Sequence, residues 1–206
     1  KRTGEEPYRA HWAGLALVGL TAIAVVQDTA RIAEHETVLV HGGTGGVGQL
    51  LIPMALEAGA KTVLATGRSA NAERIRELGA VPISYDTQDW AAEVQRLTDG
   101  RGVDVVLDTH YHSTFLPSLD QLADGGRIVA LPSLADLTPA LERGIEARVP
   151  SIVPGRDRLD RLAQGIRAGR YPLEVSEVLP LAEIAQAHRR LEEGHTRGKL
   201  VLDVRS

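Results

Sequence analysis

The stretch that most constrains this chain is Thr37-Val38-Leu39-Val40-His41, followed at once by Gly42-Gly43-Thr44-Gly45-Gly46-Val47-Gly48. A short apolar run that stops at a glycine cluster and then resumes in a helix-like pattern reads as strand, tight turn, helix. Residues 43–48 fit G-x-G-x-x-G, and each glycine has a physical task. Gly43 permits the tight turn, Gly45 lets the backbone approach a pyrophosphate, and Gly48 lets the following helix pack closely on the strand. The pyrophosphate would rest on free N–H groups at the helix N-terminus, with Gly43, Thr44, Gly45, Gly46 and Val47 around it. A structural glycine turn is the competing reading, and the surroundings of the motif favour dinucleotide binding.

Those surroundings are a repeating strand-helix alternation. Residues 11–32 carry Leu15, Val18, Ala22, Ile23 and Val26 at three- and four-residue steps, a helix with a wide apolar face. After the glycine turn a helix over 46–57 contains Pro53 and stops at Gly59, and a second strand follows at 61–66. A helix over 72–78, a proline-weakened edge strand at 81–85 and a helix over 89–97 come next. The run Val103 to Asp108 is too continuously apolar for a half-exposed strand and reads as a central parallel strand. A helix over 115–122, a Gly125-Gly126 turn, a fifth strand at 127–131, a helix over 137–143, a sixth strand at 149–153 and a helix over 157–168 complete the alternation. This predicts an α/β chain with a Rossmann-type, doubly wound, six-stranded parallel sheet in order 3-2-1-4-5-6. A C-terminal strand-helix-strand appendage follows, with strands at 175–179 and 199–204 around an amphipathic helix over 181–193. Residues 1–174 then form the dinucleotide-binding domain and 175–206 a separate C-terminal segment.

Composition removes several alternatives. The net charge of −4 and scattered arginines argue against nucleic acid as a partner. No cysteine is present, which excludes disulfides, thiolate zinc sites and a cysteine nucleophile, and suits a reducing cytoplasm. The uncharged run from Trp12 to Val26 is too short, and too interrupted by Gly14 and Gly19, to read as a membrane span. The first residue is Lys rather than Met, so a fragment or a processed product is expected.

The motifs VLVHGGTGGVG, ERIRELGA, GVDVVLDT, LADGGRIVAL and PLAEIAQAHRRLEEGHTRGKLVLDV stand in that order from residue 38 onward. Together they resemble zinc-independent medium-chain dehydrogenase/reductases, specifically the quinone oxidoreductase (zeta-crystallin-like) branch. The resemblance implies a Rossmann domain that holds NADPH and reduces quinones or activated enones by hydride transfer. It also implies a GroES-like substrate domain ahead of the first helix, which this chain lacks. The segment from residue 175 would return to that domain.

At the end of the second strand an NAD-preferring site usually carries Asp or Glu; here Thr66-Gly67-Arg68-Ser69 stands instead. Arg68 is suited to a 2′-phosphate through charge-assisted hydrogen bonds, with Arg74 a weaker candidate. The resemblance places Tyr85 beside the same phosphate, and Thr109 with Ala130, Leu131 and Pro132 on the nicotinamide side. A solvated Arg68 and a strand-capping Tyr85 are the competing reading.

After the fourth strand the family commonly has small residues, whereas this chain has Thr109-His110-Tyr111-His112. Two readings stand side by side. One of His110, Tyr111 and His112 donates a proton to substrate, or the three rings fill or obstruct the nicotinamide pocket. A zinc site on His110 and His112 lacks a third ligand, so no metal is expected. His188 and His195 read as capping or packing the tail helix, and Ser133 has no partners for hydrolase chemistry. Three function classes remain: an NADPH-dependent reductase of quinones or enones, a nucleotide-binding or assembly module without redox activity, and a scaffold for non-redox cyclisation or isomerisation. Besides a small-molecule substrate, a homo-oligomer is expected, through apolar surface on the first helix and on Leu200-Val201-Leu202. The sixth strand is the possible edge-to-edge dimer strand.

Overall fold

The computed structural model describes residues 6–194 and 196–205. Helix α1 (Glu6–Ile23) runs directly into a π-helical turn, Ala24–Ala30, which Arg31 ends in the left-handed region at φ 51°. The alternation follows as β1 (Thr37–His41), α2 (Gly48–Glu57), β2 (Thr62–Gly67), α3 (Ala72–Glu77), β3 (Val81–Ser84), α4 (Trp90–Leu97) and β4 (Val103–Asp108). It continues through α5 (Phe115–Leu119), β5 (Leu122–Ala130), α6 (Thr138–Leu141), β6 (Glu146–Arg148) and α7 (Arg156–Arg167). The tail is β7 (Val175–Pro180), α8 (Ile184–Glu192) and β8 (Lys199–Asp203).

Six strands form one parallel sheet in the order β3-β2-β1-β4-β5-β6, as the alternation predicts, while β7 and β8 pair parallel in a sheet of their own. Side-chain alternation divides the core between the two sheet faces. Val38, Val40, Val63, Ala65, Val105 and Leu107 meet α1, α2 and Leu162 of α7 on one face. Leu39, Leu64, Val103, Val106 and Ile128 meet Val94, Phe115 and Leu119 on the other. A parallel sheet covered on both faces needs such continuous apolar strands.

Four expectations are corrected. The first helix begins at Glu6 rather than residue 11 and changes pitch at Ala24. The stretch Trp12–Ala30 is long and apolar enough to cross a membrane, and it is largely buried against α2, α7 and the sheet, in keeping with the reading of a buried helix rather than a span. Gly125 and Gly126 do not turn the chain into a fifth strand. They sit inside β5, where the register jumps from Val103↔Leu122 to Val105↔Arg127, so glycine serves a bulge here. Because Leu122 belongs to that strand, α5 stops at Leu119. The sixth strand is Glu146–Arg148, paired with Arg127, Ile128 and Val129, whereas residues 149–153 are irregular. Pro150 lacks the N–H a ladder needs, so the apolar look of Val149, Ile152 and Val153 misleads. His195 lies outside the described residues, as does most of the polar segment that opens the chain.

Arg127 ties the bulged strand to the end of the π-helical turn. Its guanidinium donates to the carbonyls of Ala30 and Arg31 and pairs with Glu36 at 2.7 Å, closing a helix terminus whose carbonyls lack intrahelical partners.

Candidate functional site

A cleft of about 600 Å³ opens where β1, β2 and β4 end, the side of an open α/β sheet on which ligands bind. His41, Gly42, Thr44 and Gly45 line it from β1 and its turn. Thr66, Gly67, Arg68 and Asn71 do so from the end of β2, and Thr109, His110, Ser113 and Thr114 from the end of β4. Tyr85, Trp90, Gly194 and Thr196 complete the wall.

The turn is a glycine-rich cradle, with Thr44 carrying the one side chain between Gly42 and Gly46. Gly42 lies at φ +72°, and a side chain there would meet Thr109 Oγ1 at 2.6 Å. A Cβ on Gly48 would lie 2.1 Å from the Gly42 carbonyl oxygen, so α2 packs against the turn itself rather than against the strand. Gly43 donates from its backbone to the Thr66 carbonyl at 2.8 Å and is buried against Ala65. Over this cradle lies the tail: Gly198 N–H donates to the Thr44 carbonyl at 2.9 Å, and Gly45 and Gly198 form a parallel bridge. Arg197 and Glu174 pair at 2.8 Å, and Glu174 N–H donates to Gln49 Oε1 of α2 at 2.7 Å. The segment that joins α8 to β8 is therefore a second wall of the cleft.

His41 is the buried polar centre beneath it. Ser118 Oγ donates to the Thr114 carbonyl at 2.7 Å, so its oxygen is left to accept from His41 Nε2–H at 2.9 Å. His41 Nδ1 then accepts from Thr66 Oγ1 at 3.2 Å, whose oxygen in turn accepts from Gly42 N–H at 3.1 Å. Trp90 meets the imidazole edge-on, with ring centroids 4.7 Å apart. Burial pulls the His41 pKa down to about 4, against the opposing pull of Asp108. The neutral ring thus fixes one tautomer and links the ends of β1 and β2 to α5.

Asp108, fully buried at the end of β4, accepts from His110 N–H and Tyr111 N–H at 2.9 Å each and from Thr114 Oγ1 at 2.8 Å. This grip bends the chain sharply and holds Tyr111 at φ 72°, a conformation costly for a bulky residue. The three rings that follow are thereby separated. His110 is exposed and lines the cleft. Tyr111 packs on Phe115, and its hydroxyl accepts from Asp136 N–H at 2.9 Å while donating to the Asp136 carbonyl. His112 is exposed and touches Tyr111 edge-on.

Of the other residues singled out from the sequence, Thr44, Gly45, Thr66, Gly67, Arg68, Tyr85 and Thr109 come together in the cleft. Gly46 lies under Lys199, where an added Cβ would meet its Cδ at 2.7 Å, and Val47 packs into the core. Ser69 is turned to Asp86, with N–H and hydroxyl both donating at 2.8 Å. Ala130 is buried at the end of β5, with Leu131 and Pro132 half-buried beyond it, and none of the three lines the cleft. Arg74 reaches away to Glu77 and the Pro172 carbonyl. Sequence reading missed His41, Asn71, Trp90, Ser113, Thr114, Gly194 and Thr196. His41 carried a signal, a polar ring closing an otherwise apolar strand; Asn71, Ser113 and Thr114 lie just beyond residues already singled out, while Trp90, Gly194 and Thr196 come from distant segments.

Residues 78–202, more than half of the chain, match the family described as zinc-binding dehydrogenase. The chain belongs to that family. It is 32% identical over 208 residues to a 2-haloacrylate reductase of Burkholderia sp, covering 93% of this chain and 62% of the relative. The quinone oxidoreductase of Coxiella burnetii superposes with a TM-score of 0.84 at 31% identity, covering 93% of this chain and 60% of that one. Escherichia coli quinone oxidoreductase, solved in complex with NADPH, superposes at 0.79 with 26% identity, covering 90% and 62%. The chain thus spans about three fifths of the length of these relatives. Despite the family's name, the residues present do not fit a zinc site. The chain has no cysteine, and no group of three or more His, Asp or Glu among the described residues is placed to hold a metal ion.

Proposed function

We propose that this chain is the nucleotide-binding part of an NADPH-dependent oxidoreductase that reduces a conjugated carbonyl such as a quinone or enone. The observation that carries the reading is the cleft itself, a glycine-rich turn at the end of β1 with Arg68 standing at the end of β2. The backbone of Thr44 and Gly45 would hold the pyrophosphate at a turn where a Cβ would intrude. Arg68 and Tyr85 would hold the 2′-phosphate, because a guanidinium suits a dianion and no carboxylate ends β2. Thr109 would border the nicotinamide, which when bound supplies the hydride. His110 would be the ring of the three that hands a proton to the reduced substrate, a role supported by its position on the cleft wall while the Tyr111 hydroxyl is spent on Asp136.

The substrate side of the cleft would be completed by a domain outside this chain or by a second copy, and the protein would work in the cytoplasm. The tail from residue 175 would face that domain, and its exposed Val178, Ile184 and Leu191 supply apolar surface for it. A nucleotide-binding module without turnover is the second reading, since every described residue that lines the cleft belongs to the nucleotide-binding fold or its tail. Calorimetric titration with NADPH and NADH, followed by an assay with a simple quinone, separates the two. Binding with turnover supports the reductase, binding without turnover supports the module, and no binding of either nucleotide overturns both.

A further inference from the structure

One residue beyond each of Arg68 and Tyr85, which line the cleft, a serine and a carboxylate meet. Parallel pairing of β2 and β3, with Gly67 opposite Ser84, brings the two strand ends side by side. Tyr85 N–H donates to the Gly67 carbonyl at 3.1 Å, which sets the next residue, Asp86, against Ser69. Ser69 N–H donates to Asp86 Oδ1 and Ser69 Oγ donates to Oδ2, each at 2.8 Å. These bonds, with Arg68 nearby, hold the carboxyl below the ordinary carboxylate range, so it is ionised at neutral pH. Arg68 and Tyr85, which flank this pair in sequence, line the cleft.

We propose that Asp86 sets the balance between NADPH and NADH, a step that rests on the nucleotide-binding reading above. Its negative charge takes up both donors of Ser69 and part of the field of Arg68. A 2′-phosphate, close to doubly charged at neutral pH, must share Arg68 with it. A ribose hydroxyl carries no charge and meets no such penalty; it can donate to a carboxylate. Arg68 therefore discriminates for NADPH less than its position alone would suggest, and Asp86 is the restraint. Both charges are exposed, so their interaction weakens as salt shortens the Debye length to a few ångströms.

The test is calorimetric titration of the whole chain and its Asp86→Asn variant with NADPH, NADH and 2′,5′-ADP, a probe with the phosphate but no nicotinamide. Asparagine keeps an acceptor for Ser69 and removes the charge. The variant is expected to bind NADPH and 2′,5′-ADP about threefold to tenfold more tightly, with NADH unchanged or weaker. The gain should shrink at about 1 M salt. An Asp86→Ser variant, with matching melting temperature by circular dichroism, should shift the NADPH:NADH ratio in the same direction. A ratio that moves less than twofold in both variants, with nucleotides still bound, overturns the role of Asp86 alone. No binding of either nucleotide by the unaltered chain overturns the function on which it rests.

Discussion

Two glycines three residues apart in the same motif, Gly45 and Gly48, should fail in different ways when given a methyl group. At Gly48 a Cβ would stand 2.1 Å from the Gly42 carbonyl oxygen, 2.9 Å from its carbon and 3.0 Å from Gly43 Cα, all backbone atoms. No side chain can swing aside, so either α2 shifts or the turn opens. Overpacking of this kind costs roughly 1–3 kcal/mol, and a contact with rigid backbone belongs at the top of that range. Helix propensity pulls the other way by about 1 kcal/mol at most, because alanine is the better helix former. Gly48→Ala should therefore lose about 2 kcal/mol net, lowering Tm by roughly 4–8 °C for a chain of this size, and weaken NADPH binding through the displaced turn. At Gly45 the nearest contact is the Gly42 oxygen at 3.3 Å, which a few tenths of an ångström relieve. Gly45→Ala should stay within about 1 kcal/mol of the unaltered chain, yet lose at least roughly tenfold in NADPH affinity, because its methyl occupies the face the pyrophosphate approaches. Urea denaturation and calorimetric titration of both variants read the two effects separately. A Gly48→Ala chain as stable as the original, or a Gly45→Ala chain with full affinity, would refute this account of the turn.

Three further expectations follow from single side chains. His41 has a folded pKa of about 4 against an ordinary 6.5, so only the unfolded chain takes up its proton between those values. The corresponding stability, about 3 kcal/mol, is present above pH 6.5 and lost as pH falls toward 4; urea midpoints of His41→Gln should decline less over that window than those of the unaltered chain. Arg127→Met leaves the half-buried Glu36 carboxylate and the carbonyls of Ala30 and Arg31 without their donor, and should cost about 3 kcal/mol in urea unfolding. If His110 donates the proton, His110→Ala should lower kcat for quinone reduction roughly 100-fold, while His112→Ala stays within about twofold; equal losses in both would remove His110 from that role.

The polypeptide's periodicity was legible where short-range rules govern. Strands such as Val103–Asp108 are buried on both faces and so carry unbroken apolar sequence, and the glycines mark the turn because backbone contacts exclude a Cβ. Legibility failed where partners decide. Glu146–Arg148 looks nothing like a strand, yet it pairs with Arg127 to Val129 because an exposed edge tolerates charge, while Pro150 disqualifies the apolar residues beyond it. Gly125 and Gly126 read as a turn because a wide bulge uses the same residues.

The cleft shows the same division. Thr44, Gly45, Thr66, Arg68 and Thr109 were found from sequence because each lies at the end of a strand, within a few residues of a signal that local chemistry writes. Thr196 and Trp90 reach the same cleft from segments 152 and 46 residues beyond Thr44, so only the closed fold brings them there. The separation of His110 from Tyr111 and His112 is likewise tertiary. Three consecutive rings are equivalent on paper, until Asp108 bends the backbone beneath them and Asp136 takes the tyrosine hydroxyl. Sequence alone determined that β1 would end in a glycine-rich turn, since only glycine permits its backbone to pass so close to itself at Gly42 and Gly48. Which side chains face that turn was decided by the packing of distant segments, because hydrogen bonds and apolar contacts act through space and not along the chain.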